Sequence, residues 1–171
     1  MNPKVLVTGR PGCGKTTLIK RVVNELARPS GGFYTEEMRE AGRRVGFKLV
    51  TLDGEEAVLA HVDFKTQQRV GKYGLNLGAL EAIGVKAIRA AARTQQLVVI
   101  DEMGPMELRS AIFRDAVSEA LDSGAPILAT IVARSLPFTE AIKKRPDVTL
   151  VEVRPDNREQ LVSELSDQFK R

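Results

Sequence analysis

Gly9-Arg10-Pro11-Gly12-Cys13-Gly14-Lys15-Thr16 meets every fixed position of the pattern G-x-x-x-x-G-K-[ST]. The flanking sequence agrees with it. Val5, Leu6 and Val7 form a short apolar run suited to a buried strand, and the chain after Gly14 places Leu18, Val22 and Leu26 at helical spacing. A strand, a glycine-rich turn and a helix in that order aim backbone N–H groups at an anion. Lys15 is then expected between the β- and γ-phosphates of a nucleotide, and the Thr16 hydroxyl on the Mg²⁺ that accompanies them. The whole stretch from Gly9 to Thr17 is expected to wrap the phosphates.

Leu97-Val98-Val99-Ile100 is an apolar run that ends in Asp101-Glu102. A carboxylate at the end of such a strand is the Walker B pattern, so Asp101 is expected to hold the Mg²⁺ and Glu102 to orient an attacking water. Glu107 is expected to cap the next helix, with a role near the metal as the alternative. Thr130 lies near the end of the following strand, where it could touch the γ-phosphate; β-propensity is the competing explanation. Arg134, Arg69 and Lys72 are rival candidates for stabilising transition-state charge. Arg154, Pro155, Asn157 and Arg158 follow the last expected strand, where a guanidinium could stack on any base without reading its edge. His61 is the sole histidine, in an alternating strand, and a metal-site reading finds no partners of the right type for it.

The order of elements predicts an α/β fold: a doubly wound, mostly parallel sheet with helices on both faces. Helix one is expected to stop near Arg28, before Pro29. Residues 31–62 read as an antiparallel meander inserted at one edge of the sheet, and residues 63–76 as a surface loop. Residues 77–94 read as one amphipathic helix, Ser110 to Leu121 as a second, and Asp156 with Glu159 as a capping-box start for the last. The expectation is a single domain over residues 1–171.

Bulk properties exclude several classes. The chain has 171 residues, 43% of them hydrophobic and 28% charged, ordinary for a globular protein. No apolar run reaches the ~20 residues of a membrane span. Met1 to Lys4 lead straight into a strand, so no signal peptide is expected, and a single cysteine suits a reducing cytoplasm. The net charge is +4, and residues 1–30 hold six basic side chains against one acidic. That surplus around the glycine-rich turn suits a small polyanion. Nucleic acid is not expected, because no other block is basic and no aromatic–basic stacking pattern occurs.

Together these residues resemble a family of small nucleoside-triphosphatases found in thermophilic prokaryotes and, as the cancer-related nucleoside triphosphatase, in animals. The resemblance rests on Gly9 to Thr17, Gly32-Phe33-Tyr34-Thr35, Arg39 with Gly42 and Arg44, Gly46-Phe47, Arg69-Val70-Gly71-Lys72-Tyr73-Gly74, Val99 to Leu108, Leu128 to Ile131 and Asn157-Arg158. It implies a core similar to RecA- and AAA-type ATPases, and Mg²⁺-dependent hydrolysis of ATP, GTP, CTP, UTP and TTP with loose base preference. It also ranks Arg69 and Lys72 above Arg134, since their loop belongs to the specific run. Met103 stands where the family often has Ile. Two other readings stay open: a nucleotide or small-molecule kinase, and a nucleotide-dependent switch or adaptor. The sequence names no protein partner.

Overall fold

Successive side chains of every central strand point to opposite faces, and each face is buried against its own layer of helices. The computed structural model describes residues 1–170. Strands β1 (Lys4–Thr8), β7 (Leu97–Met103) and β8 (Ile127–Ile131) are nearly continuous buried runs, as strands covered on both faces must be. Val5, Val7, Leu97, Val99 and Leu128 pack with Leu18, Ile19 and Val22 of helix α1 (Lys15–Leu26) and with Leu161, Leu165 and Phe169 of α6 (Arg158–Lys170). Leu6, Val98, Ile100, Ile127 and Ala129 point the other way. They meet Ile88 and Ala91 of α3 (Lys86–Arg93) and Phe113 and Val117 of α4 (Ala111–Asp122).

The sheet has nine strands in the order β5-β6-β4-β3-β2-β7-β8-β1-β9. The last, β9 (Thr149–Glu152), lies parallel to β1. The expected meander is β2 (Ser30–Glu40), β3 (Arg43–Thr51) and β4 (Glu56–His61), paired antiparallel. Its first strand is also part of the parallel core, because β2 runs alongside β7 with Phe33 opposite Ile100. That approach needs glycine at position 32: φ is +112°, and a Cβ there would stand 1.8 Å from the Val99 carbonyl oxygen.

Three local expectations change. Residues 63–76 are not only loop: β5 (Arg69–Val70) and β6 (Tyr73–Leu75) form a hairpin that extends the sheet edge beyond β4. The helix over 77–94 is not uniform. Between α2 (Leu77–Ala79) and α3 lies a π-helical stretch, Leu80–Val85, whose wider turn sets Leu80, Gly84 and Val85 together into the core. The capping box at Asp156 does not form, because Asp156 takes the Arg154 guanidinium and Glu159 takes Arg21. Asn157 stands before the first turn instead, its amide spent on the Arg154 N–H and the Glu152 carbonyl.

Candidate active site

The turns after β1, β7, β8 and β9 all open at the C-terminal edge of the parallel strands, where doubly wound sheets bind ligands. A cleft of about 540 Å³ lies there, lined by Gly9, Pro11, Gly12, Lys15, Thr16, Asp101, Glu102 and Arg134, with Thr35, Glu37, Arg44 and Phe47 from the meander. The glycine-rich turn delivers the first group. Gly14 precedes α1 with φ of +93°, and a Cβ on it would come 2.4 Å from the Arg158 guanidinium, which therefore lies across the turn.

Two polar pairs occupy the cleft floor. The Thr16 hydroxyl donates to one Asp101 carboxylate oxygen at 2.7 Å, and the Thr130 hydroxyl donates to the other at 2.7 Å. Asp101 is only 2% exposed, and burial pushes its carboxyl above the usual range while the two hydroxyls oppose that shift. Lys15 Nζ donates to Glu102 Oε2 at 3.2 Å and to the Gly9 carbonyl at 3.3 Å. Glu102 folds over Gly104, where a Cβ would meet its carboxylate at 2.6 Å. The Tyr34 phenol is pushed up to about 12, first by burial and then by the Asp101 charge.

Several expected residues sit elsewhere or act otherwise. Thr130 is fully buried and bonded to Asp101, so it orients that carboxylate instead of facing a phosphate. Glu107 does not cap α4. Ser110 does, accepting from the Phe113 N–H at 3.0 Å, while Glu107 turns inward and accepts from the Gly104 N–H at 3.2 Å. Burial and then the Glu102 charge push Glu107 up to about 8. Arg69 and Lys72 do not reach the cleft. The Arg69 guanidinium is tied to the Phe64 and Lys72 carbonyls at 2.7 and 2.9 Å, and Lys72 lies over the Tyr73 ring. Arg134, ranked below them, is the one of the three that lines the cleft. Thr17 is exposed on the first turn of α1. Arg10 and Cys13 line a separate hollow of about 390 Å³ with Val153, Arg154, Pro155 and Asp156. Asn157 is held in the loop by the Arg154 N–H and the Glu152 carbonyl and does not line that hollow.

β2 and β3 contribute cleft residues to which the sequence alone assigns no role. Thr35 arrives because Phe33 is registered against Ile100, which brings the next residues of β2 level with Asp101 and Glu102. Arg44 is held by Glu37 at 3.2 Å and by the Tyr73 hydroxyl at 3.0 Å. Thr35, Arg44 and Phe47 belong to the runs that carry the family resemblance, but only strand register places them in the cleft.

Comparison with known proteins agrees with this geometry. Residues 4–166 match a family described as NTPase. The nucleoside-triphosphatase THEP1 of Thermotoga maritima is 50% identical over 162 residues, which cover 95% of this chain and 92% of that protein. This chain belongs to the NTPase family. It is thereby an enzyme of the nucleoside-triphosphatase class. The nucleoside-triphosphatase THEP1 of Thermofilum pendens is 47% identical over 94% of this chain and 92% of its own. Among solved family structures, the crystal structure of THEP1 from Aquifex aeolicus superposes with a TM-score of 0.90 at 33% identity, covering 98% of this chain and 99% of that one. The solution structure of a human cancer-related nucleoside triphosphatase gives 0.83 at 37% identity and covers 96% of each chain. No helix among the described residues is long and apolar enough to cross a membrane.

Proposed function

We propose that this chain hydrolyses the terminal phosphoanhydride of several nucleoside triphosphates as their Mg²⁺ complexes, with loose base preference. The observation that carries the reading is the meeting of Thr16 with Asp101 and of Lys15 with Glu102 in one cleft. The donor set fits the metal: a hydroxyl and a buried carboxylate are hard oxygen ligands, and Mg²⁺ takes one or two such groups along with phosphate oxygens. Thr16 and Asp101 would hold it, and bound there it would neutralise charge developing on the β- and γ-phosphates.

The remaining work falls to this chain's own groups. Lys15 and the free backbone N–H groups of the glycine-rich turn bind the phosphates. When Lys15 turns to a phosphate, its bond to Glu102 is given up, and the Glu102 carboxylate is released to orient water and accept its proton. Arg134 borders the same cleft and would meet charge on the γ-phosphate. The hollow between Arg10, Cys13, Arg154 and Pro155 suits a base held by its faces, since its charged lining residues, Arg10, Glu152, Arg154 and Asp156, are exposed and none is a buried group matched to a base edge.

Phosphate release should be measured with ATP, GTP, CTP, UTP and TTP, with Mg²⁺ and with a chelator. Similar efficiencies that vanish on chelation support the reading. Turnover that persists without the metal, or appears only on adding a phosphoryl acceptor, would reject it, the latter in favour of a kinase.

A further inference from the structure

Beyond the phosphate cleft lies a second hollow of about 540 Å³, lined in part by Arg69, Arg109, Arg114 and Arg134 with Leu136 and Phe138. It shares Pro105 and Arg134 with the phosphate cleft. It lies away from the hollow at Arg10, Cys13 and Pro155, and so on the side of the cleft where Glu102 and Arg134 stand.

Charge makes this cavity unusual. Four guanidiniums line it and no carboxylate does. Elsewhere on the molecule arginines find acids: Arg21 meets Glu159, Arg89 meets Glu119 and Arg145 meets Asp122 and Asp147. Among the described residues none of the four forms an ion pair. Arg69 donates to the Phe64 and Lys72 carbonyls, Arg109 to the Gln68 side chain and Arg114 to the Leu108 carbonyl, all neutral acceptors. These contacts orient the guanidiniums without cancelling their charge. Like charges collected in a cleft raise the local concentration of an oppositely charged ligand, and planar guanidiniums bind phosphate oxygens in pairs. The apolar side chains of Val70, Leu108, Leu136 and Phe138 supply the other half of a small-molecule pocket.

We propose that this cavity binds a second small molecule: a phosphomonoester with an apolar or aromatic body, its phosphate among the four arginines and its body against Phe138 and Leu136. The site contains no residue of the phosphate loop, although it shares Arg134 and Pro105 with the phosphate cleft. A volume of this size, bordered by the β5–β6 hairpin and α5 (Pro137–Lys143), suits such a molecule better than a polymer's phosphate track.

Phenyl phosphate is the probe, titrated calorimetrically into the full chain, with phenol and inorganic phosphate as its separated halves. Three variants accompany the wild type. Arg109→Gln removes one exposed guanidinium. Leu136→Asp puts a negative charge in the cavity at the residue preceding α5, where an Asp is a favourable helix cap. Lys15→Ala disables the phosphate loop and leaves the cavity intact. Saturable binding of phenyl phosphate, at least about tenfold tighter than of either half, is expected in the wild type and in Lys15→Ala. Arg109→Gln should weaken it about tenfold, the usual effect of losing one charged hydrogen bond, and Leu136→Asp should abolish it. Absence of saturable binding would overturn the proposal. So would loss of binding in Lys15→Ala alone, which would place the probe on the phosphate loop. Displacement of the probe by a short oligothymidylate that binds more tightly would overturn it too, by making the cavity part of a nucleic-acid surface. Thermal unfolding of each variant establishes that the cavity is folded when tested.

Discussion

Thr130 donates its hydroxyl proton to Asp101 inside the core, and a buried carboxylate that loses a donor is harder to keep charged. Thr130→Val keeps the shape and removes that donor. It is expected to cost about 1–3 kcal/mol of stability and to raise the Mg²⁺ concentration needed for half-maximal turnover. Thermal unfolding and a metal titration of phosphate release check the two effects separately. Glu102 differs from Asp101 in lying at the cleft surface, in contact with Lys15. Glu102→Gln retains a hydrogen-bonding end but cannot take a proton from water. Turnover should fall by roughly 10²–10⁴-fold with nucleotide binding retained. Near wild-type turnover in that variant would move the base elsewhere. Arg134→Ala should slow turnover more than Arg69→Ala, because only Arg134 borders the cleft.

At the scale of elements, the turn joining β7 to α4 carries its own titrating group. Glu107 closes a short 3₁₀ turn, Glu107–Arg109, by accepting from the Gly104 N–H, and is 5% exposed. Its carboxyl, ordinarily at 4.5, is pushed up to about 8. Between those values the folded state holds a proton that the unfolded state has lost. Its contribution to stability is therefore full below about pH 4.5 and is progressively lost as pH rises to about 8. Glu107→Gln keeps an oxygen for Gly104 and has nothing to ionise. Urea unfolding at about pH 5 and about pH 9 should show a drop of a few kcal/mol in the wild type and a much smaller one in the variant. The junction of β2 with β7 has a different weak point. Gly32→Ala sets a Cβ against the Val99 carbonyl at a φ that only glycine adopts readily, so β2 must move away from β7. Loss of the folded state, or a fall in midpoint temperature beyond 10 °C by order of magnitude, is expected from circular dichroism.

Across the whole molecule, the nucleotide reading requires that two hollows at one sheet edge act together. Cys13 is half-buried in the glycine-rich turn, against the hollow with Arg154 and Pro155. A bulky thiol reagent should block turnover, and Mg²⁺-nucleotide should slow its reaction with Cys13. Equal labelling rates with and without saturating nucleotide would separate that hollow from the phosphate cleft. Binding by base faces also implies less than about 100-fold difference between triphosphates, since larger ratios demand hydrogen bonds matched to one base edge.

Much of this could be read from the chain itself. Phosphate-loop and Walker B residues are local: a strand, a turn and a helix in immediate succession place Lys15 and Thr16, and an apolar run ending in acid places Asp101 and Glu102. Hydrophobic periodicity likewise determined an α/β sheet with an antiparallel addition, because burial on one or two faces writes a repeat into the sequence. What the tertiary structure alone decided lies across strands. Thr130 points at Asp101 because β7 and β8 are adjacent. Thr35 and Arg44 enter the cleft because β2 is registered on β7, while Arg69 leaves it because the β5–β6 hairpin is spent extending the far edge. Sequence neighbours set the loop that grips phosphate. Strand order and register, which are non-local pairings, set which of the equally plausible polar side chains stand near it.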